Sequence, residues 1–212
     1  SLLIRSEEGR QVHAAFRANL GEVVCGDNVV WQETANDEGV VVAVQPRATA
    51  LSRPDYTGQE KAIAANITQL VVVLAAYPEP SGYLLDQYLV TAEVIGVKPL
   101  IAINKMDLLS GAERDAFWQG FSHYASIGYR LIEVSAKREH GLDQLIAQLK
   151  GETSILVGQS GVGKSSLINA LLPAESVETG QLSSATGLGR HTTSTATCFH
   201  LPQGGDLIDS PG

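Results

Sequence analysis

The residues that narrow the chemistry most are Gly158-Gln159-Ser160-Gly161-Val162-Gly163-Lys164-Ser165-Ser166. They satisfy G-x-x-x-x-G-K-[ST] directly after an apolar stretch, Ser154–Val157, and directly before a helical pattern, Ser165–Leu172. Glycines at these positions let the backbone turn its amides inward around phosphate oxygens. The helix start adds a field that favours anions. Lys164 is placed to reach the β- and γ-phosphates of a nucleotide, and Ser165 to bind Mg²⁺. A chance glycine-rich turn rarely meets both the motif and its context.

A phosphate loop does not choose a base. Asn104-Lys105-Met106-Asp107, at the end of an expected strand Pro99–Ile103, does so. The Asp107 carboxylate can accept from the N1–H and exocyclic amine of guanine. Adenine would point an acceptor at it, and lost buried polar pairs of this kind discriminate by about 10⁴-fold. Asn104 would hold the N7 side of the base, and the Lys105 stem would cover the ring face. Ser135-Ala136-Lys137 follows another expected strand, Arg130–Val134, where the Ala136 amide can meet guanine O6. Both segments fall at strand ends, where open α/β sheets bind ligands.

Asp209-Ser210-Pro211-Gly212 fits D-x-x-G after an apolar strand. Asp209 is expected to hold Mg²⁺, through water, and the Gly212 amide to contact the γ-phosphate. Between this motif and the phosphate loop lies Gly187-Leu188-Gly189-Arg190-His191-Thr192-Thr193-Ser194. A threonine hydroxyl on Mg²⁺ would complete a nucleotide switch, and Thr193 is preferred here to Thr192. His191 reads as a solvated loop histidine, with water positioning as the alternative. The polar run Glu175–Thr186 reads as a switch loop.

These motifs need a scaffold. Residues 1–50 show short β-rich runs, Gln11–Phe16, Asn28–Gln32 and Gly39–Gln45, broken by turn signals, which indicates a small β-barrel. A polar connector is expected over 51–61, with Pro54 and Gly58. From 62 to 212 strands and helices alternate, which implies a mostly parallel sheet with helices on both faces. Helices are expected at Leu84–Ile95, Ala112–Ala125 and Leu142–Leu149, and strands at Gln69–Ala75, Thr195–Leu201 and Asp206–Ile208.

The composition narrows the class further. The 212 residues carry 44% hydrophobic and 18% charged side chains, enough for a packed core and against disorder. The longest apolar run, Leu70–Tyr77, is too short to span a bilayer, and no signal peptide is seen. A net charge of −8 argues against a general nucleic-acid binder. Cys25 and Cys198 lie far apart and form no CxxC pair, so the spacing argues neither a disulfide framework nor a zinc site, and a reducing cytoplasm is the expected setting. The chain lacks an initial Met and stops at Gly212, and it reads as an excerpt.

The order of the motifs is unusual. The base-reading segments precede the phosphate loop, which precedes Asp209–Gly212, and this is a circular permutation of a GTPase. With Arg53-Pro54-Asp55, Ala64-Ala65-Asn66-Ile67, GQSGVGKSS, GLGRHTTS and GGDLIDSPG, the chain resembles the circularly permuted, ribosome small-subunit-dependent GTPase A family over essentially its whole length. Permuted GTPases tied to the large subunit typically carry Pro-Asn where this chain has Ser160-Gly161.

The fold class expected is thus an α/β P-loop GTPase domain, circularly permuted, preceded by a small all-β, OB-fold-like barrel. The resemblance implies that this barrel is incomplete at its N-terminus and that a zinc-binding domain, absent from this stretch, follows and holds the protein's only zinc. It implies GTP as substrate, GDP as product and Mg²⁺ as cofactor. The implied partners are the small ribosomal subunit and its rRNA, with no membrane and a monomeric protein. Arg5, Arg10, Arg17, Arg47 and Arg53 are the candidate RNA stripe, although residues 1–60 hold nine acidic side chains against these five basic ones. With Lys164, Thr193 and Gly212 as the catalytic groups and no water-positioning glutamine in view, hydrolysis is expected to be slow until a partner stimulates it. Two rivals stay open at this point: a nucleotide-dependent binding module whose hydrolysis is incidental, and a GTPase with another assembly partner. A P-loop kinase or ATPase would require Asp107 to be a coincidence.

Overall fold

The computed structural model describes residues 2–17, 20–34, 38–54, 57–172 and 196–210. Its N-terminal part is a four-stranded sheet of β1 (Leu2–Arg5), β2 (Gln11–Phe16), β3 (Val29–Glu33) and β4 (Glu38–Val44), in the order β1-β2-β4-β3. The β2/β4 pair is parallel and the other two are antiparallel. Val12, Ala14 and Val41 are buried in this small sheet. Two of the five arginines of the expected stripe are neutralised there. Arg47 grips Asp27 through Nε at 2.7 Å and Nη2 at 2.8 Å, and Arg10 pairs with Glu33 at 2.8 Å.

The stretch expected to be a polar connector carries secondary structure instead. β5 (Ala50–Pro54) and β6 (Glu60–Ala65) form an antiparallel hairpin. The sequence hid it because most of its residues face solvent, and only Leu51, Ala64 and Ala65 are buried. A two-stranded hairpin needs packing support to persist, and here Leu51 and Ala64 join the main core. Asn66, at φ +52°, locks the junction: its Nδ2 donates to Gly26 O and its Oδ1 accepts from the Ala48 amide, both at 2.8 Å.

The main body is a six-stranded sheet, β11-β12-β10-β7-β8-β9. Its strands are β7 (Gln69–Ala75), β8 (Lys98–Asn104), β9 (Arg130–Glu133), β10 (Thr153–Val157), β11 (Thr197–His200) and β12 (Asp206–Asp209). All neighbours are parallel except β11, which runs antiparallel at the edge. Every residue of β7 is buried, as expected for a strand covered on both faces. The strand period of two splits its side chains. Val71 and Val73 face α3 (Leu142–Leu149) and α4 (Lys164–Leu171), while Leu70, Val72 and Leu74 face α1 (Gly82–Ile95) and α2 (Gly111–Ser126). At about 25 cal/mol per Å² these apolar faces supply most of the driving force for folding. They also fix the C-terminal ends of β8, β9, β10 and β12 side by side, where the loops with the chemistry begin.

Candidate functional site

The phosphate-loop sequence leaves β10 at Val157 and enters α4 through Gly163, at φ +94°. Two of its glycines are fixed by close approach. A Cβ on Gly158, at φ +142°, would lie 2.3 Å from the Val73 carbonyl oxygen, and one on Gly163 would lie 2.5 Å from Asn104 Nδ2. No side chain fits at either position. The Lys164 ammonium folds back over the loop and donates to the carbonyls of Gly158 at 2.9 Å and Gln159 at 3.2 Å. Burial lowers its pKa, and the charge of Asp209 partly offsets that. Conversely, burial raises the Asp209 carboxyl while Lys164 draws it down. A cation and a carboxylate thus face each other at the mouth of a glycine cradle, an arrangement suited to phosphate oxygens and a divalent cation. Ser165 and Ser166 lie exposed in the first turn of α4, and Ser210 ties its hydroxyl to the Leu156 carbonyl at 2.8 Å.

The second motif touches the first. Asn104 ends β8 and is only 2% exposed. Its Nδ2 donates to the Val162 carbonyl at 3.0 Å, and its Oδ1 accepts from the Ala136 amide at 3.3 Å. One side chain therefore binds the phosphate-loop segment to the Ser135–Lys137 segment. Lys105, in the left-handed region at φ +61°, sends its ammonium to the carbonyls of Gly161 at 2.6 Å and Tyr77 at 3.1 Å. Met106 is fully buried and anchors the turn. Asp107 accepts from Ser135 Oγ at 2.7 Å. It opens on a cleft of about 410 Å³ lined also by Arg114, Glu133, Arg138 and His140. Lys137 is exposed beside it.

The structure thus brings Asn104–Asp107, Ser135–Lys137, Gly158–Ser166 and Asp209 to one end of the sheet. Thr193 and Gly212, with Thr192 and His191, lie outside the described residues. Sequence reasoning missed the support on the α1 side. Burial raises the Tyr88 pKa, and a hydrogen bond that its hydroxyl oxygen takes from the Gly158 backbone offsets part of that rise. The Ser81 amide donates to Gln159 Oε1 at 3.3 Å. Tyr88 falls inside the helix expected at Leu84–Ile95, and no spacing rule marks a tyrosine that touches a loop.

A parallel sheet with a phosphate loop, and with base-reading segments that come earlier in the chain, defines the class of circularly permuted P-loop GTPase domains. The sequence model of the RsgA GTPase family matches residues 44–212. The small ribosomal subunit biogenesis GTPase RsgA of Hahella chejuensis is 54% identical over 204 residues, 96% of this chain and 59% of that protein. Its counterpart from Ectopseudomonas mendocina is 49% identical over 204 residues, 96% of this chain and 60% of that protein. Among solved structures, YjeQ from Thermotoga maritima superposes with a TM-score of 0.75 at 30% identity, covering 99% of this chain and 70% of that one. YloQ, described as a circularly permuted GTPase, does so at 0.69 and 30%, covering 99% and 66%. The chain belongs to the RsgA GTPase family. It spans about 60% of the length of the curated relatives it matches.

Proposed function

We propose that this chain is the barrel and GTPase portion of a Mg²⁺-dependent GTP phosphohydrolase acting as a switch in late maturation of the small ribosomal subunit. The observation that carries the reading is the position of Asn104, bonded at once to the phosphate-loop segment and to the Ser135–Lys137 segment. Phosphate and base recognition then form a single site. On this reading residues 1–50 are the barrel, 51–61 the connector, which falls within the β5–β6 hairpin, and 62–212 the GTPase domain, with a zinc-binding domain elsewhere in the protein.

The chain's own groups divide the work. Asp107, steadied by Ser135 Oγ, accepts the guanine N1–H and amine. The Lys105 stem lies along the base. The backbone from Gly158 to Gly163 cradles the phosphates, with Gln159, Ser160, Gly161 and Val162 presenting amides, and Ser166 extends the rim. Lys164 exchanges its two carbonyl contacts for β- and γ-phosphate oxygens, where charge grows in the transition state. The carboxylate facing Lys164 makes the mouth fit a divalent cation, and Ser165, Thr193 and, through water, Asp209 would hold Mg²⁺. The cation, when bound, neutralises phosphate charge. Gly212 would offer its amide to the γ-phosphate.

The cytoplasm, a monomeric state and contact with rRNA belong to the same reading. It is tested by GTP turnover of the full-length protein alone, with small subunits and with large subunits. Stimulation by small subunits only, with competition by GDP but not ADP, supports it. Equal rates in all three mixtures, with guanine binding intact, move the function to another partner.

A further inference from the structure

The β11–β12 hairpin gathers a second set of chemically active side chains, away from the motifs above. Cys198 and His200 are two residues apart on β11, so they share a face. Asp206 is the cross-strand partner of His200 in the antiparallel register and lies on that face too. One ligand atom from each, thiol sulfur, ring nitrogen and carboxylate oxygen, falls within 4.8 Å of the other two. His200 Nδ1 already meets Asp206 Oδ1. All three are half-buried.

The backbone under them is fixed. The Leu201 amide donates to Gly205 O at 2.9 Å and closes the turn. The Asp206 amide donates to Glu152 O at 2.8 Å, and Gly151 donates to Gly204 O at 3.2 Å, which together moor the hairpin to the α3–β10 turn. The neighbouring groups are Cys25, whose thiol donates to the Ala196 carbonyl at 3.0 Å, and Arg5, whose charge reaches Cys198. Burial pushes the thiols up, Cys25 to about 11 and Cys198 to about 12, so neither is a free nucleophile at neutral pH.

We propose that Cys198, His200 and Asp206 form a Zn²⁺ site on the β11–β12 hairpin, with water in the fourth position. A soft thiolate, an imidazole and a carboxylate on one rigid face are the donors that Zn²⁺ takes in tetrahedral geometry, and three protein ligands leave one position open. Binding releases the Cys198 proton as the sulfur–metal bond forms. Cys25 stays outside, because its thiol is held by Ala196. The consequence is mechanical: Thr197 pairs with Asp209 across the same hairpin, so a cation at its base fixes the strand that carries Asp209.

The test is a titration of the metal-stripped full-length protein with Co²⁺, monitored by the thiolate-to-cobalt charge-transfer absorption. Wild type and C25S should bind one equivalent more than C198S, and that equivalent should carry the thiolate band. H200Q and D206N should retain the fold by circular dichroism and weaken this equivalent by about tenfold or more. They also serve if C198S fails to fold. Equal stoichiometry and affinity in wild type, H200Q and D206N would overturn the site, as would loss of the equivalent in C25S alone. Neither result depends on nucleotide binding.

Discussion

Asn104 Nδ2 donates to the carbonyl of Val162 at 3.0 Å, across 58 positions of sequence, while its Oδ1 accepts from the Ala136 amide. The first bond is buried and the second partly so, and removing the side chain leaves the Val162 carbonyl without its buried partner and the Ala136 amide without its own. Asn104→Ala should cost about 1–3 kcal/mol of stability. It should weaken guanine nucleotide binding about 100-fold, since both loops lose their common strut. Denaturant unfolding and titration with a fluorescent GDP derivative check the two effects. Unchanged GDP affinity in a folded variant would refute the strut.

Two glycine-to-alanine changes should act in opposite directions. At Gly163 the new methyl group meets Asn104 Nδ2 at 2.5 Å, on a backbone at φ +94°. Nucleotide binding should be lost there, with secondary structure retained by circular dichroism. At Gly120, an exposed residue inside α2, nothing lies within 4 Å of the added methyl. Gly120→Ala should raise stability by about 0.5–1 kcal/mol and leave nucleotide affinity as it was.

The same contacts explain what the sequence could and could not disclose. The alternation of β7 with α1, and of β10 with α4, is visible because buried parallel strands are continuous apolar runs and helices repeat at 3.6 residues. The motif at Gly158–Ser165 is visible because phosphate binding tolerates few residue types. Tyr88 and Ser81 were not visible as supports for the phosphate loop, because long-range contacts leave no local period. The β5–β6 hairpin was concealed by its largely solvated side chains. Cys198, His200 and Asp206 are brought together only by the antiparallel register of two short strands, which no spacing rule encodes.

Ser135 supports Asp107 from below. Its hydroxyl donates to Asp107 Oδ1 at 2.7 Å and accepts from the Arg138 amide at 3.2 Å. Ser135→Ala frees the carboxylate to rotate and unties the loop beside it. The loss of one hydrogen bond to a charged group, about 1.5–3 kcal/mol, should appear mainly as about tenfold or more weaker GDP binding. Melting should change little, because Asp107 regains water. If melting fell sharply while GDP affinity held, Ser135 would serve the fold and not the base.

At the opposite end of the sheet, Glu152 laces three strands together. Its carboxylate takes the Lys98 ammonium and the Thr68 hydroxyl, the latter at 2.6 Å, and Thr68 Oγ1 in turn accepts from the Thr153 amide at 2.9 Å. The bond from Lys98, then that from Thr68, holds the Glu152 pKa below its ordinary value, against a smaller opposing effect of burial. A carboxyl depressed in the folded state binds its proton more readily when unfolded. It therefore contributes stability at neutral pH, and this contribution disappears as the pH falls from the ordinary glutamate value, ~4.3, through the lower folded one. Lys98 is 69% exposed, so solvent screening limits the pair to about 0.5–1 kcal/mol. Glu152→Gln should lower stability by that amount at pH 7, lose the difference in acid, and leave GDP binding unchanged. Denaturant melts of both proteins from pH 7 down to the acid limit of folding measure the difference directly, and a gap that widened on acidification would reverse the sign and dismiss the assignment.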